Sequence, residues 1–149
     1  MRDGKFPMLT TATAEGDLYA HPMTTQQVTD DAEVYFFLAK DSEQFESLKT
    51  STKANLSFTD SKSWLSVAGT AYFLEGEERK QKIEELWDGS LDSIFSGKDD
   101  EKLEVVRIDG DSAQFWGEPG AALPAMLKLA VSKVTNSDPT KGGEDTTEL

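Results

Sequence analysis

One histidine and no cysteine set the range of chemistry open to this chain. Without Cys there is no thiol nucleophile, no disulfide framework, no Cys-ligated zinc and no iron–sulfur cluster. A single His cannot build a multi-His metal site within one chain. His21 stands beside Pro22 in a strand-like stretch, and no Ser or Asp is tied to it by spacing. By itself it reads as an ordinary strand residue rather than a base. The acidic pairs Asp30-Asp31, Glu77-Glu78, Glu84-Glu85 and Asp99-Asp100 fall in turns or on helix faces and read as solvated surface. Lys98–Lys102 lacks the alternating oxygen ligands of a calcium loop. Gly16, Gly69, Gly110 and Gly117 are too scattered to form a phosphate-cradling loop. Trp64, Trp87 and Trp116 are large enough to stack on a planar ligand. Core packing is the better reading for Trp87, and the two readings stand even for the others.

The elements that would position these residues are mostly strands. Phe6–Thr13 is short, apolar and Thr-rich, and Glu15-Gly16-Asp17 reads as the turn after it. Leu18–Val28 is a second strand broken at Pro22, which has no N–H for a ladder. A turn over residues 29–32 leads to Glu33–Ala39, a continuous β-branched and aromatic run. Asp41-Ser42 starts a helix that places Phe45 and Leu48 on one face. Asn55–Thr59 and Trp64–Leu74 are further strands, the second with a bulge or close approach expected at Gly69. Glu77–Trp87 is a helix with Ile83, Leu86 and Trp87 as its buried stripe, and Leu91–Phe95 a short helical turn. Leu103–Asp109 and Ala113–Trp116 read as two strands joined by a hairpin at Asp109-Gly110-Asp111. Leu123, Met126, Leu127, Ala130, Val131 and Val134 recur at helical spacing. The chain after Asn136 is too polar to offset its ordering entropy. The order βββ-α-ββ-α-ββ-α predicts a mainly β, antiparallel fold with peripheral helices, a small barrel or a strongly coiled sheet.

With 149 residues the chain is one domain by size, long enough to fold without a metal or disulfide staple. Its formal charge of −13 opposes nucleic-acid phosphates, so no nucleic-acid partner is expected. No apolar run approaches a membrane span, and residues 1–20 lack the apolar segment of a signal peptide. A cytoplasmic protein without membrane partners is the expectation.

Specific strings add to this. Met8-Leu9-Thr10-Thr11, Gly16-x-Leu18, His21-Pro22-Met23 and Val34–Leu38 before Ser42 occur in that order. Asn55-Leu56-Ser57-Phe58, Val67-Ala68-Gly69-Thr70-Ala71, Leu86-Trp87, Leu103-x-x-Val106-x-Ile108 and Ala113-x-Phe115-Trp116 follow. Together they resemble the general stress protein 26 group of pyridoxamine 5'-phosphate oxidase-like flavoproteins over residues 6 to 117. The resemblance implies an FMN-binding split β-barrel over residues 1–117. Beyond it an amphipathic helix over 118–135 and a disordered tail over 136–149 are expected. It also implies a homodimer with the flavin at the subunit interface, and a helix before the first strand that is expected to be missing here or reduced to residues 1–5.

In that resemblance His21-Pro22-Met23 occupies the place of the family's Arg-Pro-Met motif. Met23, Thr24 and Thr25 would face the isoalloxazine edge. Phe37 and Leu38 would line it through main-chain groups. Ser42 and the helix start behind it would meet the phosphate, as helix N-termini favour anions. Trp116 would approach from the partner subunit. His21 stands where the family usually has Arg, and Gln44 where it usually has Lys. Each charge-assisted bond is worth ~1.5–3 kcal/mol, so losing two is expected to weaken FMN by two orders of magnitude or more. After Trp116 there is no Arg or His, so the C-terminal Arg-x-His element of true oxidases is missing and no turnover of pyridoxamine phosphate is expected. The expected function is that of a flavin-dependent oxidoreductase in which the ring carries the redox chemistry. No catalytic side chain can be assigned, and Tyr35, Thr24 and His21 are candidates for tuning the ring. The alternatives are a non-enzymatic binding module on the same fold, holding FAD, a deazaflavin, haem or nothing, and a protein that docks a partner through the C-terminal helix.

Overall fold

The computed structural model describes residues 6–29, 31–59, 63–117 and 145–148. The strands are β1 (Met8–Ala12), β2 (Leu18–Pro22), β3 (Gln27–Val28), β4 (Glu33–Ala39), β5 (Lys53–Thr59), β6 (Ser63–Phe73), β7 (Leu103–Gly117) and β8 (Asp145–Glu148). Two α-helices lie among them, α1 (Glu43–Thr50) and α2 (Gly76–Leu86), with a 3-10 turn at Gly89–Ser93. The strands form one antiparallel sheet in the order β2-β1-β5-β6-β7-β4-β3, and β8 adds to β7. The expectation of a mainly β, antiparallel barrel with peripheral helices is met. The helix expected over 118–135 and most of the expected tail lie outside the described residues. Asp145–Glu148, where composition alone favours disorder, pairs with Ser112–Phe115 of β7.

The two ends of that strand order are consecutive in the chain. β2 is one edge, β3 is the other, and only Met23–Gln26 separates them. The Met23 N–H donates to Pro7 O at 2.9 Å, continuing the β1–β2 ladder. The Gln26 N–H donates to Tyr35 O at 2.9 Å, joining the β3–β4 ladder. This short segment therefore crosses from one edge of the sheet to the other and closes the barrel. Pro22 is where the second strand breaks, because proline cannot donate to either ladder.

Two cores follow from the alternation of strand side chains. Val34, Phe36 and Leu38 of β4 point inward to pack with Leu9, Leu56, Leu65 and Phe115. Tyr35 and Phe37 point to the other side and pack with Ile83, Leu91, Phe95 and Val105 under α2. Both faces of β4 are thus buried, which is why its apolar run is continuous rather than alternating. Trp87 belongs to this second core, 6.4 Å from Phe37 and 6.5 Å from Phe95 between ring centroids. Leu48 of α1 is fully buried in the first core, and Phe45 meets Phe73 edge-on at 5.2 Å.

The hairpin expected at Asp109-Gly110-Asp111 does not form. β7 runs unbroken for 15 residues, paired with β6 along its length. The register shifts between Ala68 and Gly69, and Gly69 lies opposite Gly110. The turn-prone triplet is absorbed as the partner of a bulge, because pairing with an 11-residue neighbour outweighs local turn preference. Gly69 is required there. A Cβ on it would lie 2.5 Å from Asp109 O and 2.8 Å from Ile108 Cγ2. G69A is expected to destabilise the fold by ~1–3 kcal/mol, the usual cost of overpacking, read as a lower urea midpoint. An unchanged midpoint would mean the two strands separate there without cost.

Candidate functional site

The barrel closure draws most of the sequence-selected residues together. His21 ends the inward row of β2, opposite Leu9. Its Nε2 is buried, has no hydrogen-bond partner, and lies 3.9 Å from Glu43 Oε2 at the start of α1. Met23 is buried, and Gln44 Nε2 reaches its Sδ at 3.8 Å. Thr24 is exposed, whereas Thr25 is half-buried with an Oγ1 that has no hydrogen-bond partner. Thr11 Oγ1, on the inward side of β1, is a third such atom. Buried polar groups in native folds are normally paired, so hydroxyl and imidazole atoms left without partners mark this end of the barrel.

β4 contributes an open edge. β3 pairs with it only at Gln27↔Tyr35 and Val28↔Val34. The odd residues of β4 turn their backbone groups toward β3, as Gln26 N–H to Tyr35 O and Thr29 N–H to Glu33 O show. Phe37 is next in that series, so its N–H and C=O face the edge beyond the end of β3. Its side chain, and that of Leu38, stay in the two cores. Main-chain lining is thus geometrically available at Phe37, whereas the backbone groups of Leu38 turn the other way, into the ladder with β7.

Ser42 is the N-cap of α1. Its Oγ accepts from Phe45 N–H at 3.2 Å and donates to Ala39 O at 2.7 Å, fixing the turn between β4 and the helix. S42A is expected to cost ~1 kcal/mol of stability, the usual value of a lost cap, in chemical denaturation. No measurable loss would mean water replaces both bonds.

A cleft of about 400 Å³ opens between the β1–β2 hairpin and α1, lined by Tyr19, Asp41, Ser42, Glu43, Glu46 and Ser47 among others. Three of these are carboxylates and none is a cation. Lys102 pairs with Asp41 at 2.9 Å, and with that bond as the main cause the Asp41 carboxyl is held below its ordinary range. The other nearby cations point elsewhere. Lys40 pairs with Glu104 at 3.2 Å, and Lys49 lies over the Phe45 ring at 5.2 Å. Sequence reasoning missed Glu43 as a neighbour of His21, since an acidic residue after a helix cap is ordinary helix chemistry.

Trp116 is not part of this cluster within the chain. It stands directly opposite Trp64 across the β6–β7 ladder, four strands from β2 along the sheet. The two indoles line an apolar cleft of about 610 Å³ with Phe58, Thr59 and Leu65. Trp64 is 49% exposed, and Phe6, just before β1, and Met8, at its start, are exposed on the same sheet. Another cleft, of about 750 Å³, lies between α2 and the loop before β7. Its cations Lys40, Arg79, Lys80, Lys98 and Lys102 are each within 4 Å of a carboxylate, so among the described residues it offers no free positive charge. Among the described residues no cluster of His, Asp and Glu could hold a metal, and no helix is long and apolar enough to cross a membrane.

The donor set divides into two ends. At Thr24, Thr25 and the Phe37 backbone it offers neutral donors and acceptors, suited to the imide edge of a flat heterocycle. At Asp41, Glu43 and Glu46 it is anionic. A phosphate placed in that cleft, with about −1.5 to −2 charge at neutral pH, would meet these carboxylates and no cation among the described residues that line it, so the cleft does not fit the phosphate of FMN.

The family described as pyridoxamine 5'-phosphate oxidase like matches residues 1–140. No curated protein is similar enough in sequence to count as a relative. Among solved structures, a Clostridium acetobutylicum protein related to general stress protein 26 superposes with a TM-score of 0.66 at 20% identity, covering 76% of this chain and 80% of that one. A pyridoxamine 5'-phosphate oxidase-related, FMN-binding protein from Nostoc punctiforme gives 0.64 at 12% identity, covering 78% and 77%. A heme-binding protein from Mycobacterium smegmatis gives 0.64 at 15%, covering 86% of this chain and 55% of that one. At these identities the likeness is one of fold, the split barrel.

Proposed function

Because this chain belongs to the pyridoxamine 5'-phosphate oxidase-like family, we propose that it is a homodimeric split-barrel protein that seats a flavin-class ring at its subunit interface. The observation that carries this reading is the barrel closure. Met23–Gln26 bonds to both sheet edges beside the open end of β4, and Thr25 Oγ1 and His21 Nε2 are buried there without partners. A flat ring laid against that segment would receive hydrogen bonds from Thr24, Thr25 and the Phe37 main chain. Trp116 would come from the partner subunit. The indole pair at Trp64 and Trp116, with exposed Phe6 and Met8, supplies an apolar outer face for the second copy. A bound flavin would supply redox chemistry of its own, and this chain's residues would bind and orient it.

A second reading, a non-enzymatic binding module that holds such a ring weakly, is favoured by the carboxylates of the α1 cleft. In either case the protein should not oxidise pyridoxamine phosphate, because residues 117–149 offer no Arg or His to hold the substrate phosphate. Purified protein with added FMN is expected to show no turnover, and measurable product would contradict this. Assembly is tested by light scattering at micromolar concentration. A dimer is expected, and a monomer would overturn the interface site.

A further inference from the structure

We infer that the cleft beside α1 selects against a phosphorylated tail, so that the preferred ligand is a flavin-class ring whose tail ends in neutral hydroxyls. This deepens the ring-binding proposal and rests on it.

Three observations combine. The cleft between the β1–β2 hairpin and α1 is lined by Asp41, Glu43 and Glu46 and, among the described residues, by no Lys or Arg. The His21 imidazole beside it already has its Nε2 3.9 Å from Glu43, and Lys102 is taken by Asp41 at 2.9 Å. The cations close in sequence are held away, Lys40 by Glu104 and Lys49 by the Phe45 ring. A phosphate monoester, close to a dianion at neutral pH, would meet Glu43 and Glu46, which among the described residues have no opposite partner except that imidazole. The helix N-terminus offers only partial positive charge, and Ser42 Oγ already takes one of its N–H groups. Neutral hydroxyls meet no such opposition. They can donate to the Glu43 and Glu46 carboxylates that line the cleft.

The test compares riboflavin with FMN, two probes that share a ring and differ in the phosphate. Flavin-fluorescence titration of the full chain is expected to give at least tenfold tighter binding of riboflavin. Raising the salt should tighten FMN, since it screens repulsion, and should do far less to riboflavin. A phosphate pocket built from cations would show the opposite salt slope. E43Q, on an exposed side chain, should narrow the ratio between the two ligands and so distinguish the cleft from the overall charge of −13. FMN binding as tightly as riboflavin, or weakening with salt, would overturn the inference and leave the ring-binding reading standing. Binding of neither would overturn that reading and this inference with it.

Discussion

The double substitution H21R/Q44K is expected to tighten FMN by at least tenfold. Both side chains lie near the start of α1. His21 Nε2 lies against the first residue of α1, and Gln44 Nε2 contacts Met23 beside the barrel closure. Arg and Lys at these positions would bring two cations to the cleft between the hairpin and α1. A charge-assisted hydrogen bond contributes ~1.5–3 kcal/mol, so two unopposed ones would give two orders of magnitude or more. Glu43 and Glu46 would oppose part of this, which sets the tenfold floor. The measurement is a fluorescence titration of wild type and variant under one salt condition. An unchanged affinity would mean that the phosphate lies elsewhere or that the cleft is not used.

Replacing Phe36 by alanine is expected to cost ~3–5 kcal/mol, a large share of the 5–15 kcal/mol that holds a typical domain folded. Phe36 is fully buried on β4, inside the barrel core with Leu9, Leu56 and Val106. The central position of β4, between β7 and β3, leaves little room for collapse around the lost ring. F37A provides the comparison. Its ring packs under α2 against Trp87, so its loss should loosen that helix more than the barrel. Urea denaturation followed by far-ultraviolet circular dichroism reads the barrel. A drop below ~1 kcal/mol for F36A would contradict the packing described, since deleting a buried aromatic ordinarily costs several times that.

Much of this architecture was legible because the local signals agree with it. Glu33–Ala39 reads as a strand from composition and is one, with both faces buried. Ser42 reads as a helix start and caps α1. Gly69 reads as a bulge and sits at a register shift. The failure at Asp109-Gly110-Asp111 has a plain cause. Local chemistry there favours a turn, but the deciding partner is Gly69, some 40 positions back in the chain, and a sequence period carries no information about that pairing. The site shows the same division. That Met23 meets Gln44 and His21 meets Glu43 depends on how the segment after β2 crosses to the other sheet edge, which no spacing rule encodes. Glu43 went unseen because a carboxylate in the first turn of a helix is common for reasons unrelated to ligands. Trp116 was assigned to a partner subunit, and within one chain it lies beside Trp64 away from the closure.

The function turns on whether the segment from Met23 to Gln26 seats a flat ring. Titration of the wild-type protein with riboflavin, followed by flavin fluorescence, measures this most directly. The account predicts quenching that saturates in the micromolar range. Fluorescence that stays unchanged through a large excess of protein would show that the closure seats no such ring, and would contradict the account.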